Sequence, residues 1–95
     1  MQTKIETFTN RQQALAVAHK MTVLGYKAGN ETATKMIYVI EQDVTDPLTG
    51  ETLSTHYDLV GADVRPRRGI VIYDGVEEWD RQAELLADFD EALNR

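Results

Sequence analysis

The histidines and their neighbouring carboxylates are the residues from which this sequence could build acid–base chemistry. His56 and Asp58 lie two positions apart in a segment where apolar and polar residues alternate, so both side chains would share one face of a strand. A carboxylate beside an imidazole can orient it as a general base, on which a small hydrolase or isomerase could be built. The same spacing is typical of two solvated side chains on an exposed sheet face. His19 lies on the polar side of a helix, and no third ligand indicates a metal site.

The common catalytic and ligand-binding motifs are absent from the sequence. It has no G-x-S-x-G elbow, no glycine-rich phosphate loop, no H-E-x-x-H motif and no dinucleotide fingerprint. The acidic turn around Asp46 and Gly50 lacks the fixed alternation of ligands that a calcium loop needs. Because the chain has no cysteine, disulfides, thiol catalysis and thiolate metal sites are excluded. We therefore predict that the protein is not an enzyme and uses no cofactor or metal.

The densest positive charge lies at Arg65, Arg67 and Arg68, on either side of Pro66. Guanidinium groups held in this way can bind a phosphate or a carboxylate, so these arginines are candidate anion ligands. Weak nucleic-acid binding through them and the N-terminal lysines is one hypothesis, although a net charge of −6 disfavours it. The interpretation that we favour is that they neutralise the acidic second helix of the same molecule.

Carboxylates dominate the C-terminal segment, where residues 76–95 contain seven acids and two arginines. Five of these carboxylates have spacings that place them along one side of a helix. Such a row can imitate the phosphates of nucleic acid and occupy a Lys/Arg-lined groove on a partner. It is also what the solvent-facing side of a helix in an acidic protein looks like. The five residues are Glu77, Glu84, Asp88 and Glu91, with Asp80 towards the flank.

The apolar run at residues 36–40 predicts the central strand of the fold. The other elements, which position the histidines, arginines and carboxylates described above, would pack around this strand. Helices would cover one face of the sheet, and no further helix remains for the other face. That second face would be half-solvated or would contact a partner. We predict Ile37, Val39 and Val71 on it, where they could form a homodimer interface.

Two helices are indicated by apolar residues at helical spacing. The first would begin after the Asn10 cap and end at Leu24, with Gly25 in the left-handed conformation. The second would follow a cap at Asp74, and its apolar stripe, which runs on to Leu93, would cover the sheet. The predicted strands span residues 4–8, 26–28, 34–42, 53–60 and 70–73.

These elements predict a single α+β domain over residues 1–95, in the order β-α-β-β-β-β-α. A mixed or antiparallel sheet of about five strands would have both helices packed on one face. The N-terminus has no basic-then-apolar signal pattern, and no window has the ~18 apolar residues of a membrane span. We therefore expect a soluble, cytoplasmic protein without membrane contact.

In size, acidity and lack of cysteine the chain is similar to the small inhibitors that bacteriophages and mobile elements encode against host machinery, including anti-CRISPR proteins and DNA mimics. That resemblance implies a non-enzymatic protein-binding module that inhibits a host nucleic-acid-handling complex. The acidic C-terminal helix would bind a protein partner with a basic surface. One alternative is a homodimer that associates through the exposed sheet face. The other is a nucleic-acid binder that uses the segment with Arg65, Arg67 and Arg68, which we call the arginine loop.

Overall fold

The computed structural model describes residues 2–93 and shows an α+β fold with four strands and three helices. The predicted fold class is confirmed, but the expected five strands and two helices are replaced by four strands and three helices. In chain order the elements are β1 (Gln2–Phe8), α1 (Arg11–Ala28), α2 (Glu31–Thr34), β2 (Ile37–Thr45), β3 (Thr52–Ala62), β4 (Ile70–Asp74) and α3 (Gly75–Leu93).

The four strands form one antiparallel sheet in the order β1-β3-β2-β4. β2 and β3 form the predicted hairpin, in which Ile37 lies opposite Gly61 and Thr45 lies opposite Thr52. Gly50, with a φ of 73°, supplies the left-handed residue of the connecting turn. The central position of β3 brings its side chains within reach of both β1 and β2.

The first helix begins as predicted but ends one turn later. The Asn10 side chain accepts a hydrogen bond of 3.0 Å from the Gln13 backbone N–H. The left-handed residue that ends α1 is Gly29, with a φ of 71°, and not Gly25. Gly25 lies inside the helix, where its backbone packs directly against the Thr34 side chain of α2. The predicted strand at residues 26–28 is therefore wrong, since these residues form the last turn of α1.

Apolar clusters lie on both faces of the sheet. Under α1, the buried side chains of Ile37 and Val39 pack with Ala14 and Ala18. The prediction that Ile37 and Val39 lie on an open face is therefore wrong, because α1 covers them in the monomer. Val71 belongs to the opposite cluster, with Tyr38 and Ile40 among its members.

The connection from β3 to β4 explains why the second face is not open either. Because β2 lies between these two strands, residues 63–69 must pass it. Gly69 lies against the Ile40 side chain with a φ of 74°, a conformation that favours glycine. Arg65 is fixed to Asp74 by an ion pair of 2.6 Å. The loop thus crosses this face of the sheet and contacts it at Gly69, while Arg65, Arg67 and Arg68 stay exposed.

α3 has two halves with different surroundings. Asp74 caps it as predicted, and its Oδ1 accepts hydrogen bonds of 2.9 and 3.2 Å from the N–H groups of Val76 and Glu77. In the first half, Glu78 and Trp79 are buried. Every residue from 83 to 93 is exposed. The expectation that the apolar stripe covers the sheet along the whole helix is therefore wrong for residues 83–93, which we call the projecting half.

Candidate protein-binding surface

The acidic face of α3 consists of five exposed carboxylates along one side of the helix. Glu84 and Asp88 are one helical turn apart and lie in the middle of the projecting half. Glu78 and Trp79 are buried on the opposite side of α3, which faces the rest of the domain. The acidic side therefore faces away from α1 and the sheet. The whole face comprises Glu77, Asp80, Glu84, Asp88 and Glu91.

The chain itself neutralises part of the charge of this face. Asp80 lies 3.8 Å from the Nζ atom of Lys35, which also lies 3.5 Å from Glu31. Within residues 2–93, neither Glu84 nor Asp88 forms an ion pair, and the same is true of Glu77. Their full charge is therefore available to an approaching cation.

The arginines closest to α3 are engaged elsewhere. Arg81 binds the buried Glu78 at 3.0 Å, and Arg65 binds Asp74 at the start of the helix. Arg65 thus pairs within its own molecule, with the residue that caps α3 and not with the carboxylates along the helix. Arg67 and Arg68 are exposed, and within residues 2–93 they form no ion pair. Arg67 and Arg65 border an open depression of about 750 Å³ beside β1.

The apolar side of the projecting half is exposed as well. Its four large side chains each leave between 50% and 67% of their surface in contact with solvent. The apolar stripe that the sequence predicts contains Leu86, Phe89 and Leu93 but not Leu85, and it was expected to lie against the sheet. Helix length alone does not correct this expectation, because 19 residues extend about 28 Å and the nine residues of β2 about 30 Å. The four residues, which we call the apolar seam, are Leu85, Leu86, Phe89 and Leu93.

The candidate catalytic pair has a different environment from the one that the alternating pattern suggests. Asp58 is only 2% exposed. Its carboxylate accepts hydrogen bonds of 2.8 Å from the Thr7 hydroxyl and 2.9 Å from the Gln42 amide. The His56 Nε2 atom lies 3.6 Å away and the Lys4 Nζ atom 3.9 Å away. With both oxygens engaged by strand neighbours, Asp58 ties β1, β2 and β3 together, a structural role that alternation alone did not reveal.

The other histidine lies between the two long helices. The Nδ1 atom of His19 lies 3.3 Å from Oε1 of the buried Glu78, which also accepts a hydrogen bond of 3.1 Å from Gln82. Next to this contact, the Tyr73 hydroxyl donates a 2.8 Å hydrogen bond to Thr22, and burial raises the pKa of Tyr73. The His19–Glu78 contact joins α1 to the first half of α3, and the Tyr73–Thr22 hydrogen bond joins α1 to β4. His19 and His56 belong to separate clusters, so the structure does not bring the two histidines together.

Within the part of the chain that the structure describes, no group of three or more His, Asp or Glu side chains could hold a metal ion. No helix among those residues has the length and apolar character needed to span a bilayer. Comparison of the chain with protein-family models, with curated proteins and with solved structures found no match.

Proposed function

We propose that this protein is a non-enzymatic protein-binding module whose acidic face binds a basic surface on a nucleic-acid-handling partner. The observation that carries the proposal is the position of that face. Glu84 and Asp88 are exposed, form no ion pair within residues 2–93 and belong to a helical half that extends beyond the body of the domain. A surface lined by lysine and arginine can therefore bind the acidic side of the projecting half without contacting the sheet.

The spacing of the charges indicates what kind of nucleic acid the partner binds. It is closer to the phosphate spacing of a single strand than to that of a duplex. From Glu77 to Glu91 the helix rises about 21 Å and carries five carboxylates, or about one charge per 5 Å. One DNA strand carries one charge per ~3.4 Å of axis, whereas the duplex carries one per ~1.7 Å. The acidic face thus approaches the charge density of a single strand and has only about a third of that of the duplex.

The proposal is tested by reversing charge on the acidic face. Glu84→Lys with Asp88→Lys should abolish capture of a partner from the native host extract, because the reversed charges repel its basic surface. The fold should persist, because both side chains are exposed. Binding of the unchanged protein should weaken steeply as salt is raised, and single-stranded DNA should compete for the same partner.

The matched control reverses two exposed acids outside α3, Glu6→Lys with Glu51→Lys. This variant has the same net charge as the α3 variant, so a difference between them reports the position of the charge and not its amount. Equal capture by both variants would show that the acidic face is not the binding surface.

A further inference from the structure

We infer that a second copy of this chain occupies the apolar seam, through antiparallel packing of the two projecting halves. The inference is independent of the proposed function, because the seam and the acidic face lie on different sides of α3. The periodicity of the helix is its first support. Trp79, Gln82, Leu86, Phe89 and Leu93 follow spacings of 3, 4, 3 and 4, which is the a/d repeat of helices that pack side by side.

The first half of this repeat packs against α1, whereas the second half is only bordered by the last turn of α1, at Tyr26 and Lys27. The rings of Trp79 and Tyr26 meet edge to face with centroids 4.9 Å apart, and both aromatic residues belong to the α1–α3 contact. α1 ends at Ala28, whereas α3 continues to Leu93. Leu86 and Phe89 line an open depression beside the last turn of α1 and remain exposed, and Leu93 continues the same packing repeat.

The position of α1 determines the direction in which a second copy can bind. A parallel partner helix in register would have to occupy the place where Tyr26 and Lys27 flank α3, so α1 excludes it. In an antiparallel pair only the two projecting halves overlap, with Phe89 near the two-fold axis. The two sheets then lie at opposite ends of the pair, and the antiparallel helix dipoles are favourably arranged.

The charges at the border of the seam favour a second copy of this chain as its partner over a positively charged helix of another protein. The positions that flank the repeat in the projecting half are mostly small or apolar, with Ala83 and Ala92 among them, and the acidic face lies on the opposite side. The charged residues at the border are Asp90 on α3 and Lys27, which borders the depression that Phe89 lines. Within residues 2–93 neither forms an ion pair, so Asp90 of each copy can pair with Lys27 of the other.

The size of the seam is consistent with a dimer that depends on concentration. The four half-exposed side chains present about 400 Å² per copy, which is within the range of functional patches on soluble monomers. With the exposed parts of Tyr26 and the flanking alanines, two copies would bury about 1,000 Å² in total, near the lower limit of specific interfaces. The two acidic faces remain on the outside of the pair.

Sedimentation equilibrium of the full chain over a concentration series tests the inference. Leu86→Gln with Phe89→Gln should raise the dimer dissociation constant about 30-fold or more, because both side chains are central to the contact and glutamine preserves the helix. Glu84→Gln with Asp88→Gln, on the acidic face, should leave the dissociation constant unchanged or lower. Circular dichroism verifies that each variant is folded.

A charge exchange shows whether Asp90 and Lys27 are paired across the dimer. Lys27→Asp and Asp90→Lys should each weaken the dimer several-fold, and the double variant should recover most of the loss. A chain that remains monomeric up to about 1 mM would overturn the inference. So would a dimer whose dissociation constant is unaffected by Leu86→Gln with Phe89→Gln, or single charge variants that weaken the dimer without recovery in the double variant. None of these results bears on partner capture by the acidic face, so the two proposals can fail separately.

Discussion

The first half of α3, residues 75–82, and its projecting half belong to one continuous helix but are stabilised in different ways. The first half is capped by Asp74, buries Glu78 and Trp79, and is fastened to α1 through His19 and Tyr26. The projecting half has only its own hydrogen bonds and residual contacts near the end of α1. Eleven residues of isolated helix are marginal in water, so its order depends on the turns that precede it.

This difference separates folding from recognition within a single element. Within α3, the buried contacts that stabilise the domain lie in the first half, where Gly75, Glu78 and Trp79 are buried. The projecting half carries the apolar seam and three of the five carboxylates of the acidic face, Glu84, Asp88 and Glu91. Substitutions there should alter association with little effect on unfolding, whereas equivalent substitutions in the first half should do the reverse.

The largest expected contrast is between the two large aromatic residues of α3. Trp79→Ala should lower the free energy of unfolding by about 3–5 kcal/mol, because it empties a buried site between α3 and α1. Phe89→Ala should change it by less than about 0.5 kcal/mol, because that ring is 60% exposed. Urea denaturation followed by circular dichroism, at concentrations where the chain is monomeric, measures both. Similar losses would show that the projecting half is part of the cooperative core.

A smaller contrast is expected between two glutamates six residues apart. The Glu78 carboxylate is 4% exposed and contacts His19, Arg81 and Gln82, so Glu78→Gln should cost about 1–3 kcal/mol of unfolding free energy. Glu84→Gln should be neutral or slightly stabilising, because it relieves repulsion from Asp88 one turn away. The same urea titration compares them, and a neutral Glu78→Gln would mean that the buried contacts contribute nothing net.

The sequence patterns predicted the elements of this fold better than their ends. The β2–β3 hairpin and the caps at Asn10 and Asp74 were recognisable, because turn and cap residues act locally. The end of α1 was misplaced because Gly25 and Gly29 are both plausible stops. Only the packing of Gly25 against Thr34, a tertiary contact, shows that the first glycine serves close approach and the second serves chain reversal.

The candidate sites were predicted unevenly for a related reason. Helical spacing was enough to align Glu84 and Asp88, because alignment on a helix depends only on residue number. The burial of Asp58 depends on strand order, since its partners Thr7 and Gln42 come from the strands on either side of β3. Strand order is not encoded in the alternation of a single strand, so the pattern around Asp58 does not show that this residue is buried and ties three strands together.

The smallest expected effect comes from two exposed alanines within the long helices. Ala16→Gly in α1 should lower the free energy of unfolding by about 1 kcal/mol, because α1 unfolds only with the domain and glycine disfavours the helix by about that amount. Ala87→Gly makes the same chemical change in the projecting half. It should leave global unfolding almost unchanged, because residues 83–93 can lose their helical structure while the core stays folded. Amide hydrogen exchange should then show faster exchange confined to the residues around position 87. If Ala87→Gly instead lowers global stability as much as Ala16→Gly does, the two halves of α3 unfold together, and the separation of folding from recognition within this helix is wrong.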